Sequence, residues 1–150
     1  MKLAEALTLR ADCQRRLEQL KQRLLRNAKV QEGDEPAEDP NALLVEFEQI
    51  SEQLLSLIRR INRTNAESSL GGSTLTDALA QRDVLRSSQD MYRELAQAAS
   101  VSQARTTRSE VKFRSTVSVA TIQRKADDLA KEHRELDAKI QEANWQIELK

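Results

Sequence analysis

Helix breakers, aromatic rings and cysteines are all scarce in this sequence. Its 150 residues include three Gly, two Pro, one Cys and only 3% aromatics. With so little to interrupt a helix, and with Ala, Leu, Glu, Lys, Arg and Gln abundant, long helices are the expected product. The single Cys13 cannot close an intramolecular disulfide, so nothing implies an oxidising compartment. No run approaches the roughly 20 apolar residues of a membrane-spanning helix. The stretch Met1–Leu7 carries Glu5 and lacks a long apolar core, which reads against an export signal. A cytoplasmic protein is the expectation. Charge of one sign is also missing: 24 basic and 24 acidic residues cancel, whereas a general polyanion binder is lopsided.

What the sequence does have is helical periodicity. From about 2 to 30 there is a helix whose apolar positions Ala6, Cys13, Leu17, Leu20 and Leu24 follow steps of three and four after a first step of seven, interrupted by Arg10. That spacing lines one helix face. The acidic stretch from Gln31 to Asp39 contains both Gly33 and Pro36 and reads as a turn. A second helix, about 40–66, starts with Asp39 as N-cap and Pro40 at the first helical position, where its missing N–H costs nothing. Its stripe is Leu43, Phe47, Ile50, Leu54, Leu57 and Ile61, widened by Leu44, Leu55 and Ile58. A face that broad suits contact on two sides rather than a two-stranded seam. A third helix, about 75–99, has a thinner apolar face. The fourth, about 119–147, carries the most regular pattern, from Val119 and Ile122 through Ala126, Leu129, His133, Leu136 and Ile140 to Ala143 and Ile147. Between them, residues 101–118 are Ser/Thr-rich, and Val111, Phe113, Val117 and Val119 alternate with polar residues, a strand period. The expected fold is therefore all-α: a single helical domain over 1–150, with four long helices in an antiparallel bundle or coiled-coil arrangement. A short extended arm of strand character at about 101–118 precedes the last helix.

Candidates for chemistry are few. His133, the only histidine, occupies a core heptad position, where a half-exposed seam residue is the plain reading. Cys13 lies on an apolar face, as an inert buried thiol does. No CxxC, HExxH, GxGxxG or GxxxxGK[ST] motif occurs, so no catalytic residue, metal site or cofactor is expected. The most distinctive polar cluster is Arg59, Arg60, Asn62, Arg63 and Asn65. At the end of the second helix it would neutralise the negative pole of the macrodipole, or its donors would grip a carboxylate or phosphate. Residues 1–30 hold eight basic and three acidic groups, and residues 31–41 hold five acidic groups and no basic ones. This predicts that the acidic turn folds beside basic helix ends. The arm carries Arg105, Arg108, Lys112 and Arg114 against Glu110, but with Phe113 as its only aromatic it lacks the stacking platforms of single-strand binders.

Several stretches occur together in a recognisable way: Met1–Leu7, Leu25–Gly33, Arg60–Asn65, Leu75–Leu79 and Glu142–Trp145. In these, over nearly the whole chain, the sequence resembles a small bacterial family whose members are often labelled septicolysin. That label implies a membrane-damaging, cytolysin-like protein; the resemblance supplies no catalytic residues. The residues themselves point elsewhere. Cys13 sits in Ala11-Asp12-Cys13-Gln14-Arg15, far in sequence from the only Trp, Trp145, and no helix is basic on one face and aromatic on the other. The expectation is a non-enzymatic helical protein that acts by homo-oligomerising through helix faces or by binding a protein partner. The alternatives are the membrane-active protein of the label and a binder of an anionic ligand or nucleic acid, the last disfavoured by the charge balance.

Overall fold

The structure, a computed structural model, describes residues 1–101 and 112–150. Among the described residues the chain is all-α, with four long helices: α1 (Leu3–Arg26), α2 (Pro40–Glu67), α3 (Leu75–Ala99) and α4 (Val119–Gln146). Two two-residue strands, β1 (Ser69–Leu70) and β2 (Ser73–Thr74), form a hairpin between α2 and α3. Gly71 and Gly72 fill its turn with φ of 61° and 92°, the left-handed pair that a tight two-residue hairpin requires. The described part of the arm differs from its strand-like sequence pattern. Residues 112–118 carry no strand, and Phe113 is 83% exposed. With no neighbouring edge among the described residues to receive its N–H and C=O groups, alternation alone does not make a strand. Val111, Arg105, Arg108 and Glu110 lie outside the described residues.

Capping sets most helix starts. The Asp39 carboxylate accepts from the Asn41 N–H at 3.0 Å, with Pro40 in the first turn. Thr74 and Asp77 form a capping box: the Thr74 hydroxyl oxygen accepts the Asp77 N–H at 3.1 Å, and the Asp77 carboxylate accepts the Thr74 N–H at 3.2 Å. The Asp77 carboxylate also accepts the Thr74 hydroxyl at 2.8 Å, and that bond first, the Thr74 N–H second, holds the Asp77 carboxyl below its ordinary range. The α1 helix ends at Arg26, short of the expected 30, although neither Gly nor Pro stands there. Asn27 ends it: its side-chain amide donates to the Arg23 carbonyl at 2.9 Å, and its side-chain oxygen accepts the Glu38 N–H at 3.1 Å. One residue thus caps the helix and fixes the returning chain.

The chain falls into two compact units, each described by itself. The first comprises Met1–Ser69 with Glu142–Lys150. In it α1 and α2 run antiparallel, since Arg16 meets Glu46 and, further along α1, Arg23 meets the earlier Glu38. The acidic turn therefore does fold against a basic helix end, and the Arg23 hydrogen bond is the chief reason that the Glu38 carboxyl is held down. The core is Leu3, Ala6, Cys13 and Leu20 from α1 packed with Leu43, Ile50, Leu57 and Ile61 from α2. All but Leu3 belong to the stripes read from the sequence, whose Leu17, Leu24, Phe47 and Leu54 are half-buried, and Leu44 and Leu55, which widened the α2 stripe, stay near half exposed.

The second unit, Leu70–Gln141, holds α3 and most of α4. Leu75, Ala78 and Ala96 of α3 are buried, as are Ala126, Leu129 and Ile140 of α4. The α3 stripe looked thin because an ion pair stands in it: Arg82 donates to Asp137 at 3.0 Å from a guanidinium that is largely covered. Small residues and an ion pair leave this pair of helices less apolar than α1 with α2.

Ile61 is 1% exposed, so truncating it leaves a void that its neighbours only partly fill. Ile61→Ala is expected to lower unfolding stability by about 2–5 kcal/mol, read as a shift in urea midpoint without a change in slope.

Candidate functional site

The polar cluster on α2 does not act as one group. Helix α2 continues to Glu67, so Arg59, Arg60 and Arg63 stand one to two turns inside it. Its last turn contains no basic residue, and the macrodipole effect fades within that turn. Neutralising the helix end is therefore not what these arginines do, a correction to the sequence-based expectation.

Arg60 is turned toward the last residues of the chain. Its Nε donates to the Lys150 main-chain oxygen at 3.0 Å and one terminal nitrogen reaches the Leu149 carbonyl at 3.5 Å. One turn further on lies Thr64, with 0% of its surface exposed. The Lys150 N–H donates to its Oγ1 at 3.0 Å, and its hydroxyl donates to the Arg60 carbonyl at 2.8 Å. The Lys150 ammonium meets Glu67 at 2.9 Å. That hydrogen bond, with the Lys150 charge and then Arg63, lowers the Glu67 pKa. Two turns of α2 thus grip residues 149–150, mostly through the tail's backbone atoms, which any side-chain pattern leaves invisible. Thr64 escaped the sequence reading because a threonine on an apolar stripe looks like a gap in it. Its spacing three beyond Ile61 was the available signal.

The same tail segment also holds the start of α1. Leu3 N–H donates to the Ile147 carbonyl and Leu149 N–H to the Met1 carbonyl, both at 2.9 Å, around an antiparallel bridge of Lys2 with Glu148. The Lys2 ammonium lies 2.6 Å from Glu148, and the Met1 nitrogen 3.1 Å from it. The Lys2 bond first, and the Met1 bond second, hold the Glu148 carboxyl low. Asn144 and Leu149 are buried beside them.

Of the predicted cluster, Arg60 is therefore committed to the tail and Asn65 is half-buried. Arg59, Asn62 and Arg63 are exposed and make no ion pair among the described residues. Arg59 and Arg63 are four apart, on one face; Arg60 projects elsewhere. Cys13 is a buried free thiol and His133 is half-buried on α4. Among the described residues no three His, Cys, Asp or Glu side chains are grouped as a metal site needs, and no helix is long and apolar enough to cross a membrane. The second unit has a cavity of about 320 Å³ bounded by Leu70, Leu85, Glu132, Glu135, Leu136 and Lys139.

Fold and site together define an all-α protein whose first and last residues are knotted onto its own helices. The chain belongs to DUF6847, a family of unknown function, which its residues 10–149 match. It is also similar to the crystal structure of a functionally unknown conserved protein from Corynebacterium diphtheriae, 48% identical. That match covers 100% of this chain and 99% of the other, with a TM-score of 0.94. No curated protein matches.

Two outcomes follow from the knot. Thr64→Val keeps the shape but leaves the Lys150 N–H without its buried acceptor, at an expected cost of about 1–3 kcal/mol; Thr64→Ser restores most of it, as urea unfolding will read. Acid weakens the knot, and the Arg23–Glu38 contact at the other end of the helix pair, as well. Glu148, Glu67 and Glu38 have folded-state pKa values below their ordinary 4.5. The unfolded chain therefore takes up protons first, and the stabilisation present above that value is lost as the pH falls through the folded values. Urea midpoints should drop from pH 5 toward pH 3, less steeply in Glu148→Gln.

Proposed function

We propose that this protein works without catalysis, as a helical interaction protein that associates through its helix faces, first of all with further copies of itself. One observation carries the reading. Leu44, Val45 and Leu55 of α2 are 46%, 54% and 48% exposed, although the buried side of the same helix is complete without them. Helices expose single apolar residues routinely; several on one helix outside a filled core favour a second contact. The exposed Arg59, Asn62 and Arg63, one to two turns beyond Leu55, are donors suited to carboxylates of a partner chain. A cytoplasmic location goes with this reading, as does the reduced Cys13.

The membrane-active alternative gains nothing from these residues, since the exposed side of α2 mixes acidic with basic groups and has no aromatic. A surface-seeking helix has the reverse.

Multi-angle light scattering behind size-exclusion chromatography tests the reading. At micromolar concentration the mass should be an integer multiple, above one, of the chain's 17.0 kDa. A strict monomer across that range overturns self-association.

A further inference from the structure

The solvent side of α2 has an order of its own. Glu48, Glu52, Leu55, Arg59 and Asn62 follow one another at steps of four, three, four and three, with Val45 three residues before and Ala66 four after. All are exposed. This is a second heptad seam, separate from the buried one of Leu43, Ile50, Leu57 and Ile61. Its charges are segregated: acidic in the first half of the helix, basic in the second. None of Glu48, Glu52, Arg59 or Arg63 makes an ion pair among the described residues. Within one helix the arrangement is unfavourable, because Glu48 and Glu52, and likewise Arg59 and Arg63, are like charges four residues apart.

An antiparallel copy of the same helix reverses this. Glu48 and Arg63 lie equally far on either side of a point between Leu55 and Ser56, and so do Glu52 and Arg59. A twofold axis through that point sets each glutamate against an arginine of the second copy, giving four opposed pairs. It leaves Leu55 one residue from level with its own counterpart and sets Val45 against Ala66, with Leu44 close by, at both ends. The small Ala66 leaves room for helices to approach to about 8–10 Å between axes. A parallel copy would stack Glu on Glu and Arg on Arg, so the charges select the orientation. An isologous patch of this kind closes at two copies.

We propose that this face of α2 is a homodimer interface in which α2 pairs antiparallel with α2 of a second copy about Leu55. This rests on the self-association reading above and specifies its surface and symmetry. Leu55, Val45 and Leu44 supply apolar burial, and the exposed ion pairs contribute mainly register and specificity rather than affinity.

Two complementary variants test it by light scattering and native mass spectrometry. Glu48→Arg with Glu52→Arg makes the face all basic; Arg59→Glu with Arg63→Glu makes it all acidic. Each alone should dimerise at least tenfold more weakly than the parent, while an equimolar mixture forms the heterodimer. The parent dimer should loosen as salt rises, since exposed charges are screened. Leu55→Cys, at a half-exposed position, should close a disulfide dimer with oxidised glutathione. If the parent dimerises but both charge variants match it, or the Leu55→Cys protein fails to cross-link, this interface is wrong and self-association stands on another surface. If the parent is a monomer throughout, the self-association reading fails too.

Discussion

A buried hydroxyl, that of Thr64, is the point on which the first unit's closure depends. It accepts the Lys150 N–H and donates to the Arg60 carbonyl, so neither side of the contact leaves an unsatisfied polar group in the interior. Because Lys150 is fixed, Leu149 is seated and buried, and the Lys2–Glu148 bridge is held in register. Helix α1 thereby begins in a defined place through main-chain bonds that no change of surface residue can remove. The charged contacts of Arg60, Glu67 and Glu148 lie outside this hydroxyl and are solvent-exposed, so they steer and tighten but do not create the closure.

The opposite end of the same helix pair uses a different device. Asn27 caps α1 and receives the Glu38 N–H, while Arg23 grips the Glu38 carboxylate. The acidic turn is thus short, compensated and anchored at its last residues. Between the two anchored ends, the Leu and Ile stripes of α1 and α2 have little choice of register. This division frees the outer side of α2. Its unpaired segregated charges and half-exposed leucines add nothing to the folded chain's own core, and for that reason they are the natural place to look for association. Family and structural neighbour alike are of unknown function.

The helices were legible because their information is local and repeated. Asp39-Pro40 marked a start that the structure keeps, and the four-heptad pattern of α4 ran within a residue of its observed ends. The end of α1 was not legible, because Asn27 acts through Glu38, eleven residues away. Nor did the alternation that begins at Val111 give a strand over its described residues 112–118, because a strand is completed by a partner and the alternation says nothing about one. In the α2 cluster the sequence treated five residues as one group and missed the division of labour. Arg59 and Arg60 are adjacent and chemically alike, yet helical geometry turns only Arg60 toward the tail.

Sequence alone determined the class: few breakers, balanced charge and apolar residues three and four apart leave long helices as the only economical way to satisfy the backbone and hide the leucines. It also carried the charge segregation along α2. Tertiary structure decided which apolar residues become core and which stay outside, and it made Thr64 and Arg60 the holders of the tail. The reason is physical. Periodicity is set by neighbours along a helix, but burial and hydrogen bonding across 86 residues of separation are set only when the chain has closed on itself.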